Sequence, residues 1–198
     1  MYHLILPLQR QEHQQHQEKT TYEYYRNQKE ALFDRKVDLI TSGLQPRFSK
    51  YLRDSSLISK DNAVVICDYV LAMNTEINPS NNYRQTTIQL LIQLSKFVSK
   101  PFNLMTRDDI IGFLDNLRKP ESLDPLHKWI GTYNLYNVQL TRFFRWLYSP
   151  DIAPDKRQKP IVIENIPRLK RKEKSIYKPD DLWTNEEDLI FLRFCPSR

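Results

Sequence analysis

At 198 residues, with 40% hydrophobic and 12% aromatic content, the chain is long and apolar enough to bury a core. Its three glycines, Gly43, Gly112 and Gly131, are too few and too scattered for a phosphate-cradling loop or a dinucleotide-binding turn, and they count against an all-β fold. The net charge of +6 is concentrated: from Lys156 to Lys178 nine Lys and Arg oppose only Glu164 and Glu173, so this stretch holds +7 and the remainder is near −1. Positive charge gathered on an extended segment points to a polyphosphate partner.

Residues 1–20 are rich in Gln and His and read as loosely ordered, with His13 and His16 solvated rather than ligating; no metal or cofactor is expected. Met1–Leu8 is apolar but short and lacks a basic leader, so it does not read as a signal peptide. No apolar run approaches the roughly 18 residues of a membrane span. Cys67 and Cys195 lie far apart and read as free thiols of a reducing compartment. A helix is predicted from Thr21 to about Leu44, with Tyr25, Leu32 and Leu39 seven residues apart, a stripe too short for a coiled coil.

Four further helices are predicted between Ser59 and Tyr148. The first starts at Ser59–Asp61 and buries Ala63, Ile66, Val70 and Met73. The second opens on Asn78-Pro79, read as an N-cap followed by proline at the first helical position, and runs to Val98 with Ile88, Leu91, Ile92, Ser95 and Val98 inward. Thr106 and Asp109 form an acidic capping box for the third, which carries Ile110, Ile111, Leu114 and Leu117. Asp124-Pro125 opens the fourth, whose stripe is Trp129, Tyr133, Tyr136, Leu140, Phe144 and Leu147. Five of the twelve prolines follow between Pro150 and Pro179 and predict an extended linker. A capping box of Thr184 and Glu187 then starts a last helix with Leu189, Ile190, Leu192 and Phe194.

The polar faces of these helices are the candidate binding surface. The second presents Asn82, Gln85, Thr86, Gln89, Gln93 and Lys96, with Arg84 at its start; the fourth presents Asn134, Thr141, Arg142 and Arg145, with Lys128 at its flank. Guanidinium and amide groups suit base edges, and carboxylates are nearly missing from both faces, whereas an ordinary exposed helix mixes signs. Arg168, Lys170, Arg171, Lys172 and Lys174 of the linker complete the expected DNA-binding set, aimed at phosphates.

Several stretches resemble the core-binding domain of tyrosine recombinases, in particular archaeal-type phage integrases. They are Ile77-Asn78-Pro79-Ser80 through Asn82-Tyr83-Arg84; Arg118-Lys119-Pro120; Asp124-Pro125-Leu126-His127-Lys128-Trp129-Ile130-Gly131-Thr132-Tyr133-Asn134; Arg142 through Asp151; and Ser175-Ile176-Tyr177-Lys178-Pro179. The likeness covers roughly residues 55–198. It implies an all-α protein with a SAM-like four-helix bundle at 55–149 behind an N-terminal helical extension at 1–54. A basic interdomain linker at 150–182 and the start of a catalytic domain at 183–198 follow. It also implies that the second and fourth helices face the major groove of double-stranded DNA, in a cytoplasmic, nucleoid-associated setting.

The family's chemistry needs two arginines, a lysine, a His-x-x-Arg pair and a tyrosine nucleophile, whose cations neutralise the phosphorane. None of His3, His13, His16 and His127 is followed three residues later by arginine, so no catalytic residue is assigned and the chain reads as a truncated integrase. The alternative expectation is a protein-interaction module that docks on a full-length recombinase or on itself through the apolar residues after Trp183.

Overall fold

The computed structural model describes residues 26–170 together with residues 184, 186, 187 and 189. The fold is all-α, and no strand occurs among the described residues. Helix α1, described over residues 26–41, is followed by α2 (Pro46–Arg53), α3 (Lys60–Ile77), α4 (Asn81–Val98), α5 (Arg107–Asp115) and α6 (Trp129–Tyr148). Short 3-10 turns at Phe102–Leu104 and Ile161–Ile163 complete it.

The start signals work largely as the sequence dictates, with two shifts. Ser59 caps α3 by accepting from the Asn62 amide, and Thr106 and Asp109 form the reciprocal capping box of α5. Asn78, however, is not the N-cap of α4: it closes α3 in the left-handed region at φ 43°, donating to the Asn74 carbonyl. Ser80 caps α4 instead, accepting from Tyr83, so Pro79 lies between the helices rather than inside one. Asparagine tolerates that backbone better than most residues, which is why it ends a helix as readily as it starts one. Asp124 is not the N-cap of α6 either: Lys128 takes that place without a side-chain cap bond, and Asp124 accepts the Trp129 amide at 3.0 Å from across a turn in which His127 has φ 48°. Helix α6 therefore starts at Trp129 rather than at Pro125.

The interior crosses the boundary expected at residue 55. Val37 and Ile40 of α1 and Phe48 and Leu52 of α2 join Ala63, Ile66, Val70 and Met73 of α3 in one core. Ile88, Leu91 and Leu94 of α4, Ile110 and Leu114 of α5, and Leu140, Phe143 and Phe144 of α6 complete it. Residues up to 54 are thus not a separate extension where they are described. The heptad stripe of α1 faces outward, Leu32 and Leu39 being exposed, while Tyr25 lies outside the described residues.

At the centre, Phe143 packs edge-on against Tyr69, Phe102 and Phe144. Such rings contribute more than their area because positive edges meet negative faces. Buried Asn62 ties three elements together: its side-chain amide donates to Ser95 Oγ at 2.7 Å and to the Lys100 carbonyl at 2.9 Å, and its oxygen accepts the Phe102 amide at 3.0 Å. Every polar atom it brings inside is paired, the condition for a buried amide to be tolerated.

The segment after α6 departs most from expectation. Described as far as Lys170, it is not a free extended linker but folds back over the bundle. Val162, Ile163 and Ile166 are buried in the common core, and Arg157 is only 5% exposed. The Arg107 guanidinium of α5 donates to the carbonyls of Glu164 and Asn165. On α6, Asn134 donates to the Leu169 carbonyl and accepts the Leu169 amide, while Asn137 donates to the Ile166 carbonyl. Backbone polar groups that an irregular, proline-rich segment cannot pair in a ladder are satisfied by side chains instead. Near the chain end Thr184 and Glu187 make the expected reciprocal capping bonds; the apolar residues after them, Leu189 apart, lie outside the described residues.

Candidate nucleic-acid interface

Charge is sorted by helix. Among the described residues, the nine carboxylates within the six helices belong to α1 (Glu30, Asp34, Asp38), α3 (Asp61, Asp68, Glu76) and α5 (Asp108, Asp109, Asp115); α2, α4 and α6 carry none. Those three carboxylate-free helices are neighbours on one surface. Helix α2 packs on α4, and α6 meets α4 through Tyr136, whose hydroxyl donates to Gln93, and through Arg142, which donates to the Tyr83 hydroxyl at 2.8 Å.

Helix α4 is the ridge of that surface. Asn82, Thr86, Gln89, Gln93 and Lys96 are exposed along it and Gln85 is half-buried, a spacing of three and four that keeps them on one side. Among the described residues Lys96 has no carboxylate within ion-pair distance and the Gln89 amide has no hydrogen-bond partner. Thr86 is less available, since its hydroxyl donates to carbonyls of its own helix. Arg84 is engaged elsewhere: it donates to the Ser42 carbonyl at 2.6 Å and to Asn81 Oδ1 at 2.8 Å, pinning the corner between α1 and α2 to the start of α4. Gly43 in that corner has φ +75°, where an L side chain is strained, and Asn81 Nδ2 stands 3.3 Å from where a Cβ would sit, so it would have to give by a few tenths of an ångström.

The polar residues of α6 do not act as one face. Arg142 is exposed on the α4 side, its guanidinium 5.9 Å from the centre of the Tyr83 ring. Asn134 and Arg145 instead hold the folded-back segment; Arg145 donates through two nitrogens to the Arg157 carbonyl. Thr141 donates to the Asn137 carbonyl of its own helix. Lys128 is exposed at the start of α6. Of the basic segment, Arg168 and Lys170 are exposed, whereas Arg171, Lys172 and Lys174 lie outside the described residues. Arg157 is unavailable to a ligand, its charge being matched by Glu76.

Helix α2 supplies what the sequence reading missed. Arg47, Lys50 and Tyr51 are exposed on it, and Arg47 lies over the Phe48 ring at 5.1 Å. Arg53, on the same helix, is occupied by Asp38 and Asp34 of α1, which raise its pKa above the ordinary value. The available signal was Pro46 at a first helical position followed by Phe48 and Leu52 four apart, but eight residues are too few for a firm periodicity. Among the described residues no group of three or more His, Cys, Asp or Glu is placed to hold a metal, and no helix is long and apolar enough to cross a membrane. Comparison with known proteins finds no matching family model, no matching curated protein and no matching solved structure.

Proposed function

We propose that this protein binds double-stranded DNA, presenting α4 to the major groove as the SAM-like core-binding domain of a tyrosine recombinase would, and contributes grip rather than chemistry. The observation that carries this reading is the exposed ridge from Asn82 to Lys96, free of carboxylates and bordered by Arg47 of α2, which shares a cleft with Gln89, Gln93 and Lys96, and by Arg142 of α6, which reaches Tyr83. That ridge is about 21 Å long, the rise of roughly six base pairs, and a major groove is wide enough for a helix. Amides along the centre suit base edges, and cations at both borders suit the two phosphate banks. The reading also places the chain with cellular DNA, in the cytoplasm.

Fluorescence anisotropy with a labelled duplex tests it. If about five phosphates are neutralised, log K falls against log[salt] with a slope of about −4 to −5. Failure to bind any duplex at low ionic strength overturns the proposal, as does an affinity indifferent to salt.

A further inference from the structure

Between α2 and α4 lies a cleft of about 350 Å³ lined by Arg47, Phe48, Tyr51, Leu57, Gln89, Ile92, Gln93 and Lys96. Phe48 and Ile92, 1% and 8% exposed, make its apolar floor. Tyr51 stands at the edge, 37% exposed and edge-on to Phe48 with ring centres 6.4 Å apart. Gln89 and the Tyr51 hydroxyl have no hydrogen-bond partner among the described residues, and Gln93 uses only its carbonyl oxygen, accepting from Tyr136. Cations contribute to the lining from both helices, Arg47 of α2 and Lys96 of α4, and no carboxylate does.

We infer that this cleft receives a single unpaired nucleobase, stacked on the Tyr51 ring, with its flanking phosphates held by Arg47 and Lys96. The inference rests on the duplex-binding reading, since the cleft opens beside the α4 ridge and shares Gln89, Gln93 and Lys96 with it. Three requirements of a nucleotide meet there: a flat aromatic face for the base, amides able to donate and accept at its edge, and positive charge for the backbone. The volume is at the small end of ligand-holding clefts and suits one ring system rather than a run of stacked bases. Charge complementarity decides the occupant: a cationic lining without a carboxylate favours a phosphodiester over a neutral apolar side chain of a protein partner.

The test compares an uninterrupted duplex with the same duplex carrying a two-nucleotide bulge that contains 2-aminopurine, by anisotropy and by the fluorescence of the analogue. The bulged duplex is expected to bind about ten-fold more tightly, with quenching of the base on binding, the gain that base–aromatic stacking typically gives. Tyr51→Ala should abolish that gain while leaving affinity for the uninterrupted duplex within about two-fold; Tyr51→Phe should keep it. Equal affinity for both duplexes, or a preference that survives Tyr51→Ala, overturns the inference and leaves the duplex reading standing. Failure to bind either duplex overturns both. Thermal melts of the two variants separate loss of the site from loss of the fold.

Discussion

The guanidinium of Arg157 donates to both carboxylate oxygens of Glu76, a residue 81 positions earlier at the end of α3; the longer of the two bonds is 2.9 Å. Arg157 also donates to the carbonyls of Ser149 and Pro150, so a single side chain closes the segment after α6 onto the bundle. Removing it leaves a carboxylate facing a site built for a cation. Because the Glu76 side chain keeps 24% exposure, water relieves part of that penalty, and Arg157→Ala is expected to cost about 3 kcal/mol in urea denaturation. Arg157→Lys keeps the charge but loses the planar fork, and should fall between the two. The pair Glu76→Gln with Arg157→Met should be less destabilised than Arg157→Ala alone. An Arg157→Ala variant as stable as the parent would refute the clasp.

Arg142 and Arg145 are three residues apart on one helix and have opposite assignments. Arg142 reaches toward α4 and the proposed DNA surface, whereas Arg145 is spent on the Arg157 carbonyl. Arg142→Ala is expected to weaken duplex binding about ten-fold and to flatten the salt slope by about one, with the melting temperature nearly unchanged. Arg145→Ala should cost about 1–2 kcal/mol of stability, since a charged donor leaves a carbonyl unpaired, and should move duplex affinity less than two-fold. Titrations paired with thermal melts check both; equal losses of affinity in the two variants would contradict the division.

That division marks where sequence reasoning stops. Helices α3 to α6 were legible because periodicity and caps are local, and Ala63, Ile66, Val70 and Met73 are all inward as the spacing requires. The polar side of α6 was legible only as polar. Asn134 and Arg142 look equivalent on a helical wheel, yet one pairs with Leu169, 35 residues on, and the other with Tyr83, 59 residues back. Long-range partners have no local signal. The same holds for the basic segment, where prolines announced an irregular backbone but not the burial of Val162, Ile163 and Ile166 beneath it. Arg157 is one of nine cations in that stretch of sequence, and its partner Glu76, 81 positions earlier, leaves no local mark. Asn78-Pro79 differs in kind: an asparagine before proline reads as an N-cap, but the αL tolerance of asparagine puts Asn78 at the end of α3 and leaves Ser80 to cap α4.

Cys67 is fully buried, and burial together with the neighbouring Asp68 charge pushes its thiol up to about 12. Thiol reagents act on the thiolate, so the native site is closed both sterically and chemically. In a Cys195→Ser background, labelling of Cys67 by a disulfide reagent at pH 8 is expected to follow the unfolding transition in urea and to be negligible before it. Stoichiometric labelling within minutes under native conditions would mean that α3 opens far more readily than its packing allows.

Asp109 gives the protein a defined acid sensitivity. Its carboxylate accepts the Thr106 amide at 2.8 Å, the foremost cause of a pKa below the ordinary carboxylate value, and the Lys100 ammonium at 2.9 and 3.0 Å adds to it. A carboxyl whose pKa is lower folded than unfolded contributes stability that is fully present above the unfolded value of about 4. That contribution is lost as pH falls through the folded value. At neutral pH, Asp109→Asn is expected to cost about 1 kcal/mol, the usual worth of a cap. The gap between parent and variant should hold from pH 7 to about pH 5 and close as the pH drops below about 4, because protonation strips the parent of the same charge. Urea denaturation across that range checks it. A gap that stays constant into strong acid would mean that the side chain acts by shape alone, and that neither the Thr106 amide nor Lys100 draws on its charge.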